Sequence, residues 1–208
     1  NEKFEKASLH LQNRFSRSKF DGVFVDIGCG SGLFSAAASK LGAEVVSFDY
    51  DPKCIETTKS VIKRFGNMDN ILEVKRADIL SEEMNHAISN SSFIYSWGVL
   101  HHTGSMFQAI SKIASLAKPG AVFVMAIYND AGKISEKWKK LKKLYVKSAL
   151  LRPIIIFIAY KDFWLSQQLR AILTGKNPFE QWRNYSIDSR GMSAWFDLID
   201  WSGGYPYE

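Results

Sequence analysis

Three glycines alternate in the stretch Val25-Asp26-Ile27-Gly28-Cys29-Gly30-Ser31-Gly32. The apolar run just before them, from Val23, has the length of a buried strand, and Ser31 to Leu41 reads as a helix stopped by Gly42. A glycine turn between strand and helix lets a ligand approach the backbone closely, and the helix N-terminus presents unpaired N–H groups. Asp49 closes the next apolar run, roughly 20 residues after Gly28, the offset at which a carboxylate meets ribose hydroxyls in nucleotide-binding βαβ units. The chemistry implied is nucleoside binding. Cys29, set between glycines, suits a small buried residue better than a nucleophile.

His101-His102 follows a fourth apolar run, where a substrate should lie. A histidine there is a candidate general base near neutral pH. The competing reading is that one ring hydrogen-bonds within the loop and holds the site. His10 and His86 have no partner at useful spacing, and Cys29 and Cys54 form no ligand pattern, so no metal is expected.

The elements that must carry these residues alternate regularly. Strands are expected at Val23–Ile27, Glu44–Asp49, Ile71–Lys75, Phe93–Trp97 and Ala121–Tyr128. Helices are expected at 2–19, Ser31–Leu41, Pro52–Phe65, Ser81–Ile88 and Ser105–Ala117. Apolar strands without alternation, separated by helices, imply a mainly parallel sheet covered on both faces. Right-handed crossovers make it a doubly wound, Rossmann-like α/β fold. That rhythm stops near residue 130, so 1–130 reads as the ligand-binding domain and 131–208 as a helical and aromatic insertion.

In this order the pieces resemble the class I S-adenosylmethionine (SAM) dependent methyltransferases. The resemblance rests on Val25–Gly32, Ser47-Phe48-Asp49, Ala77-Asp78-Ile79, the run from Tyr95 to His102, and Leu116-Ala117-Lys118-Pro119-Gly120. It is nearest to small-molecule methylases of the type 11/12 and ubiquinone-biosynthesis kind. A dinucleotide-binding turn wants Gly or Ala where Leu33 stands, and Asp26 suits the surroundings of a cation. The resemblance implies SAM as cofactor and S-adenosylhomocysteine (SAH) as product. It also implies that Gly28 and Gly30 line the methionine end, with Asp26 as the acid of this motif and Cys29 in the same cofactor-binding turn, and that Asp49 holds the ribose. Tyr50 is then placed beside the adenine, Asp78 at its amino group and Ile79 against the ring, with Ser96 and Trp97 next to the methyl. The expected activity is methyl transfer to a small or lipid-like acceptor; an RNA or protein methyltransferase and a non-catalytic SAM-binding or membrane-associated module are the alternatives.

Seven lysines crowd Lys133–Lys147, which accounts for much of the net charge of +6. The default reading is a solvated helix face behind an Ile134/Trp138/Leu141/Tyr145 stripe. A membrane-surface contact through 133–165 comes second, because 153–165 is apolar and aromatic, and nucleic acid third. No secretory leader and no apolar run of roughly 20 residues is visible, so a cytoplasmic place, peripheral at a membrane at most, is expected. The aromatic segment after Gly175 reads as a lid lacking clear periodicity, with Arg190, Trp195 and Tyr205 as candidate acceptor contacts. The sixth and seventh strands usual in the family have no match before Glu208, so the sequence reads as cut short.

Overall fold

The computed structural model describes residues 2–180, 182–184 and 194–203. The chain divides into two compact units, one up to Tyr128 and one from Asn129. The first holds α1 (Glu2–Phe15), β1 (Val23–Ile27), α2 (Leu33–Lys40), β2 (Glu44–Asp49), α3 (Pro52–Phe65), β3 (Ile71–Arg76), α4 (Asn85–Asn90), β4 (Phe93–Trp97), α5 (Met106–Leu116) and β5 (Val122–Ala126). All strand pairs are parallel, in the order β3-β2-β1-β4-β5. This is the doubly wound fold expected from the sequence.

The order reverses at β1, which pairs with β2 on one side and β4 on the other. Successive connections therefore leave β1 in opposite directions, and a crevice opens at its C-terminal end. The register sets Asp26 beside Ser47 and also beside Tyr95, so these three polar residues share one face of the sheet. Two apolar cores flank the sheet. Val25, Ile27, Val46, Phe48 and Ile94 pack with Met84, Ile88, Ala109 and Ile113 on one side. On the other, Phe24, Val45, Phe93 and Tyr95 meet Ala7, Leu11 and Phe15 of α1 and Ala37 and Ala38 of α2. Alanines on α2 let it lie close to the strands, which is what brings its first turn down onto Asp26.

Boundaries differ from expectation for local reasons. α1 ends at Phe15 rather than 19, because Ser16 takes a left-handed φ of 53°. α2 starts at Leu33, since Gly32 at φ 74° stands outside the helix. The expected helix at 81–88 is a short 3₁₀ turn, Glu82–Met84, followed by α4. β5 stops at Ala126 because its partner β4 runs out at Trp97.

The second unit holds α6 (Lys133–Lys147), α7 (Arg152–Tyr160), a π-helical turn at Lys161–Leu165, α8 (Ser166–Leu173) and α9 (Ala194–Gly203). Its core is Trp138, Ala159, Trp164, Ala194 and Leu198, with Trp182 and Trp201 packed against them. Two expectations are corrected here. Ile134 is exposed, and Lys142 is buried, its ammonium donating to the Trp201 carbonyl and lying 4.5 Å from the Trp201 ring centroid. The aromatic tail read as lacking periodicity contains α9, whose buried positions Ala194, Leu198 and Ser202 recur every four residues. Among the described residues no helix is long and apolar enough to cross a membrane.

Candidate functional site

The turn after β1 is shaped by its glycines. Gly28, Gly30 and Gly32 have φ of 73°, 53° and 74°. A Cβ on Gly28 would lie 2.4 Å from Val99 Cγ2, and one on Gly32 would lie 2.5 Å from the Thr58 Cα. These two positions are closed by packing as well as by backbone conformation. Gly30 differs: a Cβ there would meet nothing within 4 Å, so the turn faces open space at this residue.

The turn is tied down at several points. The N–H groups of Gly28 and Cys29 donate to the Phe48 carbonyl at 2.8 and 3.1 Å. Gly30 N–H donates to Asp49 Oδ2 at 2.9 Å, and Asp49 Oδ1 accepts from Asp51 N–H at 3.0 Å. The Thr58 hydroxyl of α3 lies 3.2 Å from the Gly30 carbonyl and 3.3 Å from Cys29 Sγ. Each Asp49 oxygen keeps a lone pair for a ligand, and the side chain is only half-buried. Cys29 is buried, and burial with the carboxylates nearby pushes its thiol pKa up, so it stays neutral and is no nucleophile.

Asp26 lies beneath this turn and is 2% exposed. Its Oδ2 accepts a hydrogen bond from Ser35 Oγ at 2.5 Å, and Ser35 Oγ accepts one from Ser47 Oγ at 2.8 Å. Burial is the main reason its carboxyl is pushed up to about 7; the Ser35 hydroxyl opposes the shift and Asp49 adds to it. Among the described residues no Lys, Arg or His pairs with it.

The remaining sequence candidates spread along the strand ends. Ala77 N–H donates to the Asp49 carbonyl at 3.1 Å and holds the end of β3 against that of β2. Tyr50 is 61% exposed, with the Arg76 guanidinium 5.3 Å from its ring. Asp78 is exposed and accepts from Leu80 N–H at 2.9 Å, while Ile79 is buried behind it. Ser96 is fully buried, and its Oγ has no hydrogen-bond partner among the described residues. Trp97 turns its ring to the α1 side, 4.5 Å from the His10 ring and 4.8 Å from the Arg14 guanidinium.

His101 is fully buried, with its ring 4.0 Å from that of Tyr128 and 4.2 Å from that of His102. His102 is half-buried, and its backbone N–H donates to the Val99 carbonyl at 2.8 Å. Trp195 is exposed on α9, while Arg190 and Tyr205 lie outside the described residues. Among the described residues no cluster of His, Cys, Asp or Glu could hold a metal. The sequence reading gave no role to Ser35, Ser47, Thr58 or Val99. Serine in a helix and in a strand carries no signature, and only the hydrogen-bond chain that ends on Asp26 joins these two to the site.

The profile of a family described as a methyltransferase domain matches residues 2–161. The chain belongs to the class I SAM-dependent methyltransferase family. It is 37% identical over 105 residues to the ribosomal protein L11 methyltransferase of Alteromonas mediterranea, covering 43% of this chain and 35% of that protein. It is 30% identical over 111 residues to the ubiquinone biosynthesis O-methyltransferase of Mesorhizobium japonicum, covering 53% of this chain and 43% of that one. The matched part is thus about a third to two-fifths of the length of these relatives. Among solved structures, the YcgJ protein of Bacillus subtilis superposes with a TM-score of 0.56 at 17% identity, covering 74% of this chain and 67% of that one. A putative methyltransferase of Bacillus halodurans C-125 gives 0.53 at 16%, with coverages of 68% and 60%. Both share the fold.

Proposed function

We propose that the chain binds SAM in the crevice at the C-terminal end of β1 and transfers its methyl group to a small or lipid-like acceptor. The observation that carries this reading is the bond from Gly30 N–H to Asp49 Oδ2, which folds the carboxylate back over an open turn. The residues fit the cofactor. The open face of Gly30 admits the ligand's backbone-like methionine portion, and the spare lone pairs of Asp49 suit vicinal ribose hydroxyls. Tyr50 and buried Ile79 offer apolar faces for adenine, and Asp78 supplies an acceptor for its amino group. Asp26 supplies a carboxyl for the amino end. SAM, when bound, supplies a methyl already activated by the sulfonium charge.

The protein's part is then alignment. Displacement at carbon needs the nucleophile and methyl in line, and positioning alone lowers the barrier substantially. Full burial and contact with Tyr128 give His101 a packing role. His102, half-buried beside it, is the candidate to take a proton from an acceptor hydroxyl. A lipid-like acceptor agrees with the name of the ubiquinone-biosynthesis relative.

Calorimetric titration tests the reading with SAM, SAH and NAD: the first two should bind and NAD should not. Asp49→Ala should weaken SAM by about 1–3 kcal/mol, the cost of losing hydrogen bonds to a charged group. Unchanged affinity in that variant would remove Asp49 from the site. A polyprenylated phenol and a ribosomal-protein fragment, offered as acceptors in parallel, separate a lipid-like substrate from a protein one.

A further inference from the structure

Two buried serines are linked to Asp26 but have no part in the binding step described above. Ser35 and Ser47 are both fully buried and come from different elements, α2 and β2. Their hydroxyls form one chain, Ser47 to Ser35 to Asp26, of 2.8 and 2.5 Å. A hydroxyl that accepts one bond donates the next more strongly, so Ser47 makes Ser35 a better donor. The chain ends on a carboxyl that is out of water, lacks a paired cation among the described residues, and lies under the ligand-facing turn. An unpaired buried carboxylate costs several kcal/mol, and a carboxyl avoids that cost by keeping its proton.

We propose that Ser35 and Ser47 are positioning residues that hold Asp26 ready to give up its proton when a cationic amino group enters the crevice, so that cofactor binding is coupled to proton release. This rests on the SAM reading above. The proton moves from the Asp26 carboxyl to bulk buffer, and the ligand's ammonium takes its place as the balancing positive charge. No covalent bond is made or broken apart from that O–H.

The groups around Asp26 agree with this balance. Asp49, at the end of β2, disfavours a second negative charge. Cys29 in the turn stays neutral. Tyr95 stands beside Asp26 on β4, and its hydroxyl lies 3.1 Å from His10 Nε2 of α1. Burial is the largest effect raising the carboxyl's proton affinity, with Asp49 adding to it, and the Ser35 hydroxyl is the main group lowering it, with the balance near neutrality.

SAH is the probe, because it carries the amino group without the sulfonium. Titrating the chain with SAH at about pH 6 in two buffers of different ionisation heat should show close to one proton released per ligand, falling to none above about pH 8. Affinity should rise about 25-fold from about pH 5.5 to about pH 7.5, if only the ionised carboxyl binds. Asp26→Asn should bind more weakly at all pH and release no proton in this range. Ser35→Ala should move the release window upward by about one pH unit, and Ser47→Ala should move it less. Proton-free binding by the natural chain would overturn the proposal. So would the same release from Asp26→Asn, or an unmoved window in both serine variants. Should Ser35→Ala not fold, Ser47→Ala still decides. Absence of any SAH binding would instead sink the cofactor reading and this proposal with it, a result distinct from binding without proton release.

Discussion

Replacing Asp26 by asparagine should change how the unliganded protein responds to pH. The carboxyl is buried and its pKa is pushed up to about 7, against 3.8 for the free side chain. Folding therefore strengthens its hold on the proton. The stability from the protonated form is complete below about pH 4 and drains away as pH climbs through about 7. A difference of roughly three pKa units corresponds to about 4 kcal/mol in all, of which about 2–3 kcal/mol falls between about pH 5 and about pH 8. Asparagine keeps an acceptor for the Ser35 hydroxyl but cannot ionise, so the variant should lack this loss. Urea unfolding of both proteins at the two pH values measures it, with the difference between slopes isolating Asp26 from every other titrating group. In thermal melts, roughly 2–4 °C per kcal/mol for a chain of this size makes the natural protein fall about 5–10 °C further than the variant. Parallel pH profiles for the two proteins would refute the reasoning, because they would mean that Asp26 is ionised in the fold at no cost.

Glycine replacements should separate packing from binding. Gly32→Ala pushes a Cβ into the Thr58 backbone and should lower stability by about 2–4 kcal/mol, read by urea unfolding. Gly30→Ala meets no neighbour and should cost only about 1–2 kcal/mol of backbone strain, yet reduce SAM affinity measured by calorimetry. In the second unit, Lys142→Met should remove the bond to the Trp201 carbonyl and cost about 1–3 kcal/mol, whereas Lys143→Met, on the exposed side, should stay within about 0.5 kcal/mol by the same assay. His102→Ala should lower turnover of a hydroxyl acceptor by about 100-fold or more while leaving SAH affinity unchanged, measured by methyl transfer and calorimetry side by side.

β1, β2, β4 and β5 were legible as short, mostly apolar runs bounded by Gly28, Asp49, Gly98 and the Pro119-Gly120 pair, and a parallel sheet buries such runs. Asp49 was legible through its distance from the glycine turn, a spacing that the βαβ geometry imposes. Ser35 and Ser47 were not, because their meaning comes from facing Asp26 across an element boundary and not from their own neighbours in sequence. The inward turn of Trp97 toward His10 was hidden for the same reason: alternation on β4 puts it on the Tyr95 face, and only the packing of α1 shows what waits there. Lys142 was read as part of a solvated run because charge patterning sees composition, whereas a single lysine can reach a carbonyl on a distant helix. α9 escaped because aromatic residues on several sides blur the four-residue recurrence of its small buried positions.

The glycine turn is also braced from within. The amide hydrogens of Gly28, Cys29, Gly30 and Gly32 are already spent, on the Phe48 carbonyl, on Asp49 and on the Cys29 carbonyl. The loop is thus held in shape by its own bonds and by the neighbouring strand before any ligand arrives, so a ligand meets a surface that is already formed.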